Sequence, residues 1–296
     1  MNVRDSFFHE LYRQTQAGKD VMVVSSDLGA PSLDDFRRDY PQRFVNVGIA
    51  EQNSIAVASG LALAGKIAVT YGLNPFPVTR AFDHIRNLLA SLEIPVTVAA
   101  LKAGSCTAEA GFSHMAVENM SLLRTLRNLR IVNPSDETIA RQMVREIVEH
   151  PKPGFIQFDP FISGVLYDEE EIDFSRGFAV SGKACDTAVV TYGIWAHKLK
   201  KEALPVRLID CYSLPVNIPL LVEELGKCKK IVTVEDGIAA GGIGSLLLEI
   251  MNDCGLQIPV KRLALRFENG YPTVSSDRKQ IFEAEGLTLE ALKKEI

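Results

Sequence analysis

Short apolar runs alternate with helical stretches along the first half of the sequence, and this alternation is its strongest constraint on the fold. Continuous apolar and β-branched runs are typical of strands that are buried on both faces of a sheet. Six runs are predicted as strands: 21–24, 44–47, 67–70, 96–101, 130–132 and 154–158. The stretches between them include predicted helices at 51–64, 79–92 and 136–149. Strands that alternate with helices predict a helix-flanked, mainly parallel sheet.

A second series of the same kind follows a stretch without periodicity, residues 163–183, which contains an acidic run and several glycines. Its predicted strands are 187–191, 206–209, 230–234 and 259–263, and its helices are 195–203, 218–226, 243–252, 276–284 and 289–294. A chain of 296 residues is long enough for two domains. We therefore predict an α/β protein with two three-layer domains and mainly parallel sheets: a first domain at 1–165, a linker at 166–183 and a second domain at 184–296.

Composition narrows the classes of partner. The net charge is −5 and no run of basic residues is present, which argues against a nucleic-acid or membrane surface. The five cysteines are widely spaced and form no CxxC pair, so we predict reduced, mostly buried thiols rather than disulfides or a zinc site. The longest uncharged apolar stretch, 55–65, is shorter than the ~20 residues of a membrane helix. With an amphipathic N-terminus unlike a targeting peptide, these features predict a cytoplasmic protein.

Glu51 begins a predicted helix, EQNSIAVASGLALAG, that is apolar on nearly all faces and is therefore expected to be buried. A buried glutamate needs a partner. One hypothesis is that its carboxylate interacts with the free N–H groups and the positive end of the helix dipole. The other is that it meets a ring nitrogen in a functional site, where a buried carboxyl can share a proton. The residues alone leave both hypotheses open.

Four segments resemble the transketolase family. They are RFVNVGIAEQN at 43–53, RAFDHIR at 80–86, VRLIDCYSLPV at 206–216 and IVTVEDGIAAGGIGS at 231–245. The likeness is to the family's pyrimidine-binding domain followed by its C-terminal domain, and the family's GDG-to-Asn diphosphate-binding motif is not in this sequence. The resemblance therefore implies the C-terminal subunit of a split transketolase, a transferase of carbohydrate metabolism.

The resemblance also implies the cofactor and the assembly. Thiamine diphosphate would be the cofactor, and Mg²⁺ would be bound mainly by an N-terminal, diphosphate-binding partner subunit, with α2β2 as the expected assembly. In that family a glutamate at the Glu51 position hydrogen-bonds N1′ of the aminopyrimidine and promotes the tautomer that activates the cofactor. Phe76 aligns with an aromatic residue that stacks on the pyrimidine, although by itself it would equally suit a core. His114 matches a histidine beside the substrate oxygens, although a lone histidine is more often structural.

Of the remaining positions that contact substrate in the family, some are matched in this sequence and others are not. Arg4, Ser32 and Lys102 align with phosphate-contacting positions of the family, which implies that they bind substrate. Ala110 stands where the family has an aspartate that contacts a substrate hydroxyl, and the arginines that follow one family strand are replaced by the segment Gln157-Phe158-Asp159-Pro160. A methyl group cannot replace the lost hydrogen bond. An atypical acceptor is therefore expected.

Three functions follow from this combination. The first is transfer of a two-carbon ketol unit from a ketose to an aldehyde, with Glu51 and His114 as the catalytic residues. The second is a thiamine-dependent 2-oxo acid decarboxylase and carboligase of the deoxyxylulose-phosphate-synthase type, which would account for Ala110 and the lost arginines. The third is a regulatory subunit without catalytic activity. Small molecules are the expected substrates in the first two cases.

Overall fold

The computed structural model describes residues 1–183, 185–202, 204–272 and 275–296. The first half supplies strands β1 Val21–Ser25, β2 Phe44–Asn46, β3 Ile67–Leu73, β4 Val96–Leu101, β5 Arg130–Val132 and β6 Gly154–Phe158. Its α-helices are α1 Val3–Gln16, α2 Pro31–Asp39, α3 Glu51–Leu63, α4 Phe76–Thr79, α5 Phe82–His84, α6 Asn119–Leu123 and α7 Glu137–Glu149. A π-helical segment, Ile85–Ser91, continues α5.

The second half supplies strands β7 Ala179–Gly182, β8 Thr187–Thr191, β9 Arg207–Asp210, β10 Ser213–Leu214, β11 Lys230–Ile238 and β12 Val260–Leu265. Its helices are α8 Gly193–Glu202, α9 Ile218–Leu225, α10 Ile243–Asp253, α11 Arg278–Ala284 and α12 Leu289–Lys293. Two predicted boundaries, the start of the second domain at Ala184 and the end of a helix at Ala203, lie outside the described residues.

The strands form a seven-stranded sheet, in the order β10-β5-β6-β4-β3-β1-β2, and a five-stranded sheet, in the order β12-β11-β8-β9-β7. Neighbouring strands are parallel except for the pairs β10–β5 and β7–β9. Helices lie beside both sheets, as the long connections between parallel strands require. The predicted fold class, two α/β domains with mainly parallel sheets, is confirmed.

Differences from the sequence-based prediction include two strands and one helix. Strand β7 lies within the predicted linker, and it pairs antiparallel with β9. The two-residue strand β10 comes from the second half but joins the sheet of the first half. The predicted single helix at 79–92 is divided into α4, α5 and the π-helical segment, beginning at Phe76. Short strands carry little periodicity, so their pairing partners and not their own sequences make them strands.

The core beneath α1 is aromatic. Phe7 and Phe8 are fully buried and contact Phe158 and Tyr71 of the first sheet, with ring centroids 5.2 Å and 4.7 Å apart. Burying side chains of this size contributes roughly 1.5–3 kcal/mol each. This packing fixes the N-terminal helix over the strands whose ends carry the candidate site.

The expectation that the helix beginning at Glu51 is buried on nearly all faces is wrong for the chain alone. One face of α3 packs on the sheet and buries Ile55 and Ala58. The other face leaves Leu63 74% exposed, and Ile49 just before the helix is 73% exposed. A helix beside a single sheet can bury only one stripe, so the apolar residues on the far side remain uncovered.

None of the described helices has the length and hydrophobicity needed to cross a bilayer. All five cysteines are free, and Cys106, Cys211 and Cys228 are buried, in agreement with the prediction that most of these thiols lie in the interior. Burial raises the pKa of Cys106 to about 12.

Candidate active site

The candidate site lies at the carboxyl edge of the first sheet. Strands β3, β4 and β6 end at the same edge, where Asn74 N donates to Leu101 O (2.9 Å) and Lys102 N donates to Phe158 O (2.8 Å). Parallel strands that end together bring the loops that follow them into one region, which is where ligands bind in such sheets. The loops after these strands carry Phe76, Lys102 and Asp159.

Glu51 is the first residue of α3 and is 3% exposed. Its Oε2 accepts a hydrogen bond from Arg80 Nη1 at 2.6 Å. Within the described residues, the carboxylate accepts no hydrogen bond from the helix backbone, so the capping hypothesis lacks its expected contact. Its Oε1 likewise accepts no hydrogen bond in that part of the chain. The partner of Glu51 is therefore a guanidinium that no motif in the sequence assigned to it.

Arg80 connects Glu51 to two more candidate residues. The Arg80 guanidinium carbon lies 4.6 Å from the centroid of the Phe76 ring, a cation–π contact. The Phe76 ring in turn meets the His114 ring edge-on, with centroids 5.3 Å apart and an interplanar angle of 86°. Phe76 and His114 are both half-buried. The structure thus brings Glu51, Phe76 and His114 together through Arg80, which lies in the RAFDHIR segment.

His114 ends a short 3-10 turn, Phe112–His114. Its Nδ1 lies 3.0 Å from Ser113 Oγ, and its carbonyl oxygen accepts a hydrogen bond from Thr107 Oγ1 at 2.6 Å. Burial raises the pKa of Glu118, four residues further along the same connection. The histidine is held by backbone and hydroxyl contacts while its ring remains accessible.

Arg4 and Ser32, two of the predicted substrate residues, come together around a third residue, Asp5. Arg4 Nε and Nη2 donate to the two carboxylate oxygens of Asp5 at 3.0 Å each, and Ser32 Oγ donates to Asp5 Oδ1 at 2.8 Å. The Arg4 side chain is only 14% exposed. Burial also raises the pKa of the nearby Tyr71 hydroxyl, which therefore stays protonated at neutral pH. Arg4 already has a bidentate carboxylate partner, the arrangement that would otherwise suit a phosphate.

Lys102 has a carboxylate partner as well. Its Nζ lies 3.6 Å from Glu109 Oε1, and about one third of the Lys102 side chain and more than half of the Glu109 side chain are exposed. Ala110, the next residue, is exposed in a 3-10 turn. The three residues that align with phosphate-contacting positions, Arg4, Ser32 and Lys102, are thus each paired with an acidic side chain.

The residues that replace the family's arginines lie below the site. Gln157 is buried in a cluster of amides, where it accepts hydrogen bonds from Asn119 (3.2 Å) and Asn74 (3.4 Å) and donates to Asn133 (2.5 Å). Asp159, also buried, lies 2.6 Å from Arg278 Nη1. Both side chains are thus engaged by other residues of the chain. Among the described residues, no cluster of three or more histidines, cysteines or acids is placed to hold a metal ion.

Comparison with known families identifies the two halves. Residues 1–159 match the transketolase pyrimidine-binding domain, and residues 182–290 match the transketolase C-terminal domain. The chain belongs to the transketolase family. The resemblance predicted from residues 43–53 and the C-terminal segments is thereby confirmed.

Several transketolase relatives match the chain over nearly its whole length. One subunit of the apulose-4-phosphate transketolase of Phocaeicola vulgatus is 26% identical and is matched over 98% of this chain and 95% of that protein. The putative transketolase C-terminal section of Methanocaldococcus jannaschii is 28% identical over 94% of this chain and 90% of that protein.

A solved structure and a longer relative complete the comparison. The solved structure, described as a split gene transketolase in an inactive beta4 tetramer, has a TM-score of 0.82 at 29% identity. The match covers all of this chain and 98% of that one. The 1-deoxy-D-xylulose-5-phosphate synthase 1 of Kitasatospora griseola is 32% identical over 90% of this chain, which spans 42% of that protein.

Proposed function

We propose that this chain is the pyrimidine-binding subunit of a two-subunit, thiamine-diphosphate-dependent transketolase. In this proposal it transfers a two-carbon ketol unit from a ketose to an aldehyde. The observation that carries the proposal is the contact of Glu51, Arg80, Phe76 and His114 at the carboxyl edge of the first sheet. Membership of the transketolase family and the likeness to transketolase subunits of similar length support it.

The residues present suit the pyrimidine end of thiamine diphosphate. Glu51 is 3% exposed as a residue, its Oε1 has no hydrogen-bond partner among the described residues, and a protonated ring nitrogen would donate to this oxygen. Phe76 offers a half-buried aromatic ring on which a flat heteroaromatic ring would stack. When bound, thiamine diphosphate supplies the electron sink for breaking and forming carbon–carbon bonds beside a carbonyl.

The chain's own side chains then have separate tasks. Glu51 Oε1 would hold the proton at the pyrimidine N1′, while Arg80 fixes Oε2 and supplies a counter-charge. If Ser113 Oγ donates to His114 Nδ1, the imidazole proton lies on Nε2, which would donate a hydrogen bond to a substrate oxygen. Mg²⁺ and the diphosphate would be bound mainly by the partner subunit.

An assembly is supported by the uncovered face of α3. Ile49 and Leu63 are more than 70% exposed, and Ala56 and Gly60 are exposed between them. Exposed apolar residues grouped on one helix are typical of a protein–protein interface. Because the same helix begins at Glu51, a subunit that covers it would lie next to the cofactor residues. We expect an α2β2 assembly, to be measured by light scattering of the mixed subunits.

The substrate is proposed to lack a phosphate near Arg4. Asp5 already occupies the guanidinium of Arg4 and the hydroxyl of Ser32, and Glu109 pairs with Lys102. A phosphate would have to displace a bound carboxylate and would then lie beside it, which like charge disfavours. Ala110 provides no hydrogen-bonding group for a substrate hydroxyl. This proposal departs from the relatives that are named for apulose 4-phosphate.

Asp5→Asn tests the substrate class. Removing the carboxylate leaves Arg4 free for an anion, so the KM for phosphorylated aldehydes should fall by about tenfold or more, equivalent to ~1.4 kcal/mol. The KM for unphosphorylated aldehydes should change little. A wild-type enzyme that already prefers phosphorylated acceptors would overturn the proposal for the substrate and leave the reaction type intact.

Glu51→Gln tests the reaction. In the assembled enzyme this change should lower kcat by at least about 100-fold, within the range expected of a lost proton-transfer group. Glu10→Gln is the matched control, because Glu10 is also a buried glutamate paired with an arginine (Arg13, 3.0 Å) but lies on α1. Full activity of the Glu51 variant would indicate a regulatory subunit.

The decarboxylase and carboligase alternative is favoured by one observation, the 32% identity to a deoxyxylulose-phosphate synthase. Incubation of the assembled enzyme with pyruvate and, separately, with ketoses distinguishes the two. Release of carbon dioxide without cleavage of any ketose would replace ketol transfer by this second function.

A further inference from the structure

His114 lies on a connection that the C-terminal half contacts at two places. We call residues 104–116 the His114 loop. Gly104 and Ala116 close it through an antiparallel bridge, with Ala116 N donating to Gly104 O at 2.8 Å. Between them Thr107 Oγ1 donates to the carbonyl of His114. The loop is thus a closed unit, and its position depends on the contacts at its base, next to Gly104, and at its tip, around Phe112.

The base is held by Asp236 of β11. Asp236 Oδ2 accepts from Ser105 N at 3.0 Å, and its Oδ1 accepts from Ser105 Oγ at 2.7 Å. Arg278, the first residue of α11, donates from Nε to Asp236 Oδ2 at 3.0 Å. Ser105 is fully buried and Asp236 is 7% exposed. A charged acceptor that is buried and fully engaged fixes its donors firmly.

The tip is held by aromatic stacking. Phe112, two residues before His114, stacks on Tyr271 with ring centroids 3.9 Å apart and an interplanar angle of 25°. Phe267 meets Phe112 edge-on at 6.0 Å and 85°. Ser275 Oγ adds a hydrogen bond to the carbonyl of Glu109 at 2.7 Å. These contacts come from the segment that precedes α11.

We propose that the C-terminal half positions His114 for the reaction and that Tyr271 is a positioning residue acting through Phe112. This inference rests on the proposed function, because it assumes that His114 contacts the substrate. Tyr271 is 56% exposed, so folding of the chain depends little on its burial. The last turn of the His114 loop, by contrast, packs on the Tyr271 ring through Phe112. The C-terminal domain then contributes to turnover without touching cofactor or substrate.

The test compares Tyr271→Ala and Tyr271→Phe with Leu248→Ala. Leu248 is an exposed apolar residue of the same domain (41%) on α10, away from the loop, and serves as the control. In the chain alone, Tyr271→Ala should speed amide hydrogen exchange in residues 104–116 by about 2- to 10-fold, the range expected for one lost aromatic pair. The His114 imidazole NMR signal, assigned with a His114→Asn variant, should shift. Tyr271→Phe, which keeps the ring, should behave as wild type.

With the partner subunit present, Tyr271→Ala should lower kcat by about 2- to 10-fold while the thiamine diphosphate concentration for half-saturation stays unchanged. Unchanged loop exchange and an unchanged His114 signal in Tyr271→Ala would overturn the positioning inference. Faster loop exchange with unaltered kcat would also overturn it, and would remove His114 from the proposed mechanism. If Tyr271→Ala behaves as predicted but Glu51→Gln is fully active, positioning stands and the proposed role of Glu51 fails.

Discussion

A single methyl group at Gly104 should destabilise the chain far more than the backbone conformation alone explains. Gly104 has φ +60°, a conformation that costs an L-residue about 1–2 kcal/mol. A Cβ there would lie 2.2 Å from Asp236 Oδ2 and 2.7 Å from the Asp236 carbonyl oxygen. Rotating the carboxylate away therefore does not remove the clash, because the backbone of β11 is also too close. Gly104→Ala must move Asp236 or the base of the His114 loop.

The magnitude follows from what Asp236 loses. Its carboxylate accepts hydrogen bonds from Ser105 and Arg278, and a hydrogen bond to a charged group contributes about 1.5–3 kcal/mol. Losing one of them, added to the backbone cost, predicts a fall of about 2.5–5 kcal/mol in the free energy of unfolding. Gly255→Ala is the matched control, because Gly255 has φ +69° but its added Cβ would meet no atom within 4 Å. That variant should lose only the backbone cost of about 1–2 kcal/mol.

Urea unfolding of both variants, followed by circular dichroism, measures the difference. The two midpoints should be well separated while the dependence on urea concentration stays the same. If Gly104→Ala and Gly255→Ala differ by less than about 0.5 kcal/mol, the close approach of the loop to Asp236 does not carry the energy assigned to it.

Three further predictions concern charge and reactivity. Arg80→Gln should raise the thiamine diphosphate concentration for half-maximal activity by about 3- to 10-fold, because Glu51 loses the donor that orients it. Arg86→Gln, a change at an exposed residue, is the control and should leave this concentration unchanged. Equal effects of the two changes would contradict the pairing of Arg80 with Glu51. Burial raises the pKa of Asp210 to about 7, above the 3.8 of an unperturbed side chain, so the native chain keeps a proton that the unfolded chain releases. This contribution to stability is present below about pH 4 and is lost as pH rises through 7, a fall of at most about 4 kcal/mol in the free energy of unfolding. Urea titrations at several pH values should show a smaller fall for Asp210→Asn than for the wild type. The same pH dependence in both proteins would contradict the assignment to Asp210. Ellman's reagent should modify exposed Cys254 fastest and buried Cys106 and Cys211 slowly, and Cys254→Ser should remove the fast phase; a persisting fast phase would refute this order.

Buried apolar strands could be predicted from the sequence with little error. The predicted bounds 96–101, 130–132, 154–158 and 187–191 coincide with β4, β5, β6 and β8. These strands lie in the interior of sheets, where a continuous apolar run has no other stable environment. By contrast β7 and β10 lie at sheet edges, and their few residues became strands only because β9 and β5 were available as partners.

The residues of the candidate site also fall into two groups, those that sequence motifs indicate and those that only the structure reveals as their partners. Glu51, Phe76 and His114 could be selected from motifs because each lies in a local segment with a recognisable residue pattern. Arg80 could not be assigned as the partner of Glu51, since nothing in those patterns specifies which side chain meets which. The pairing of Asp5 with Arg4 and of Glu109 with Lys102 was equally hidden. The resemblance implied substrate binding by Arg4, and only the contacts showed that Asp5 already occupies it.

What the sequence determined by itself is the class of fold, the transketolase likeness and the position of Glu51 at a helix start. These depend on local periodicity and on short contiguous motifs. What only the tertiary structure decided is which groups surround those residues: Arg80 at Glu51, and Asp236 at the base of the His114 loop. Ser105 and Asp236 are 131 residues apart in the chain. Contacts over such separations arise from the packing of whole domains, and no local pattern encodes them.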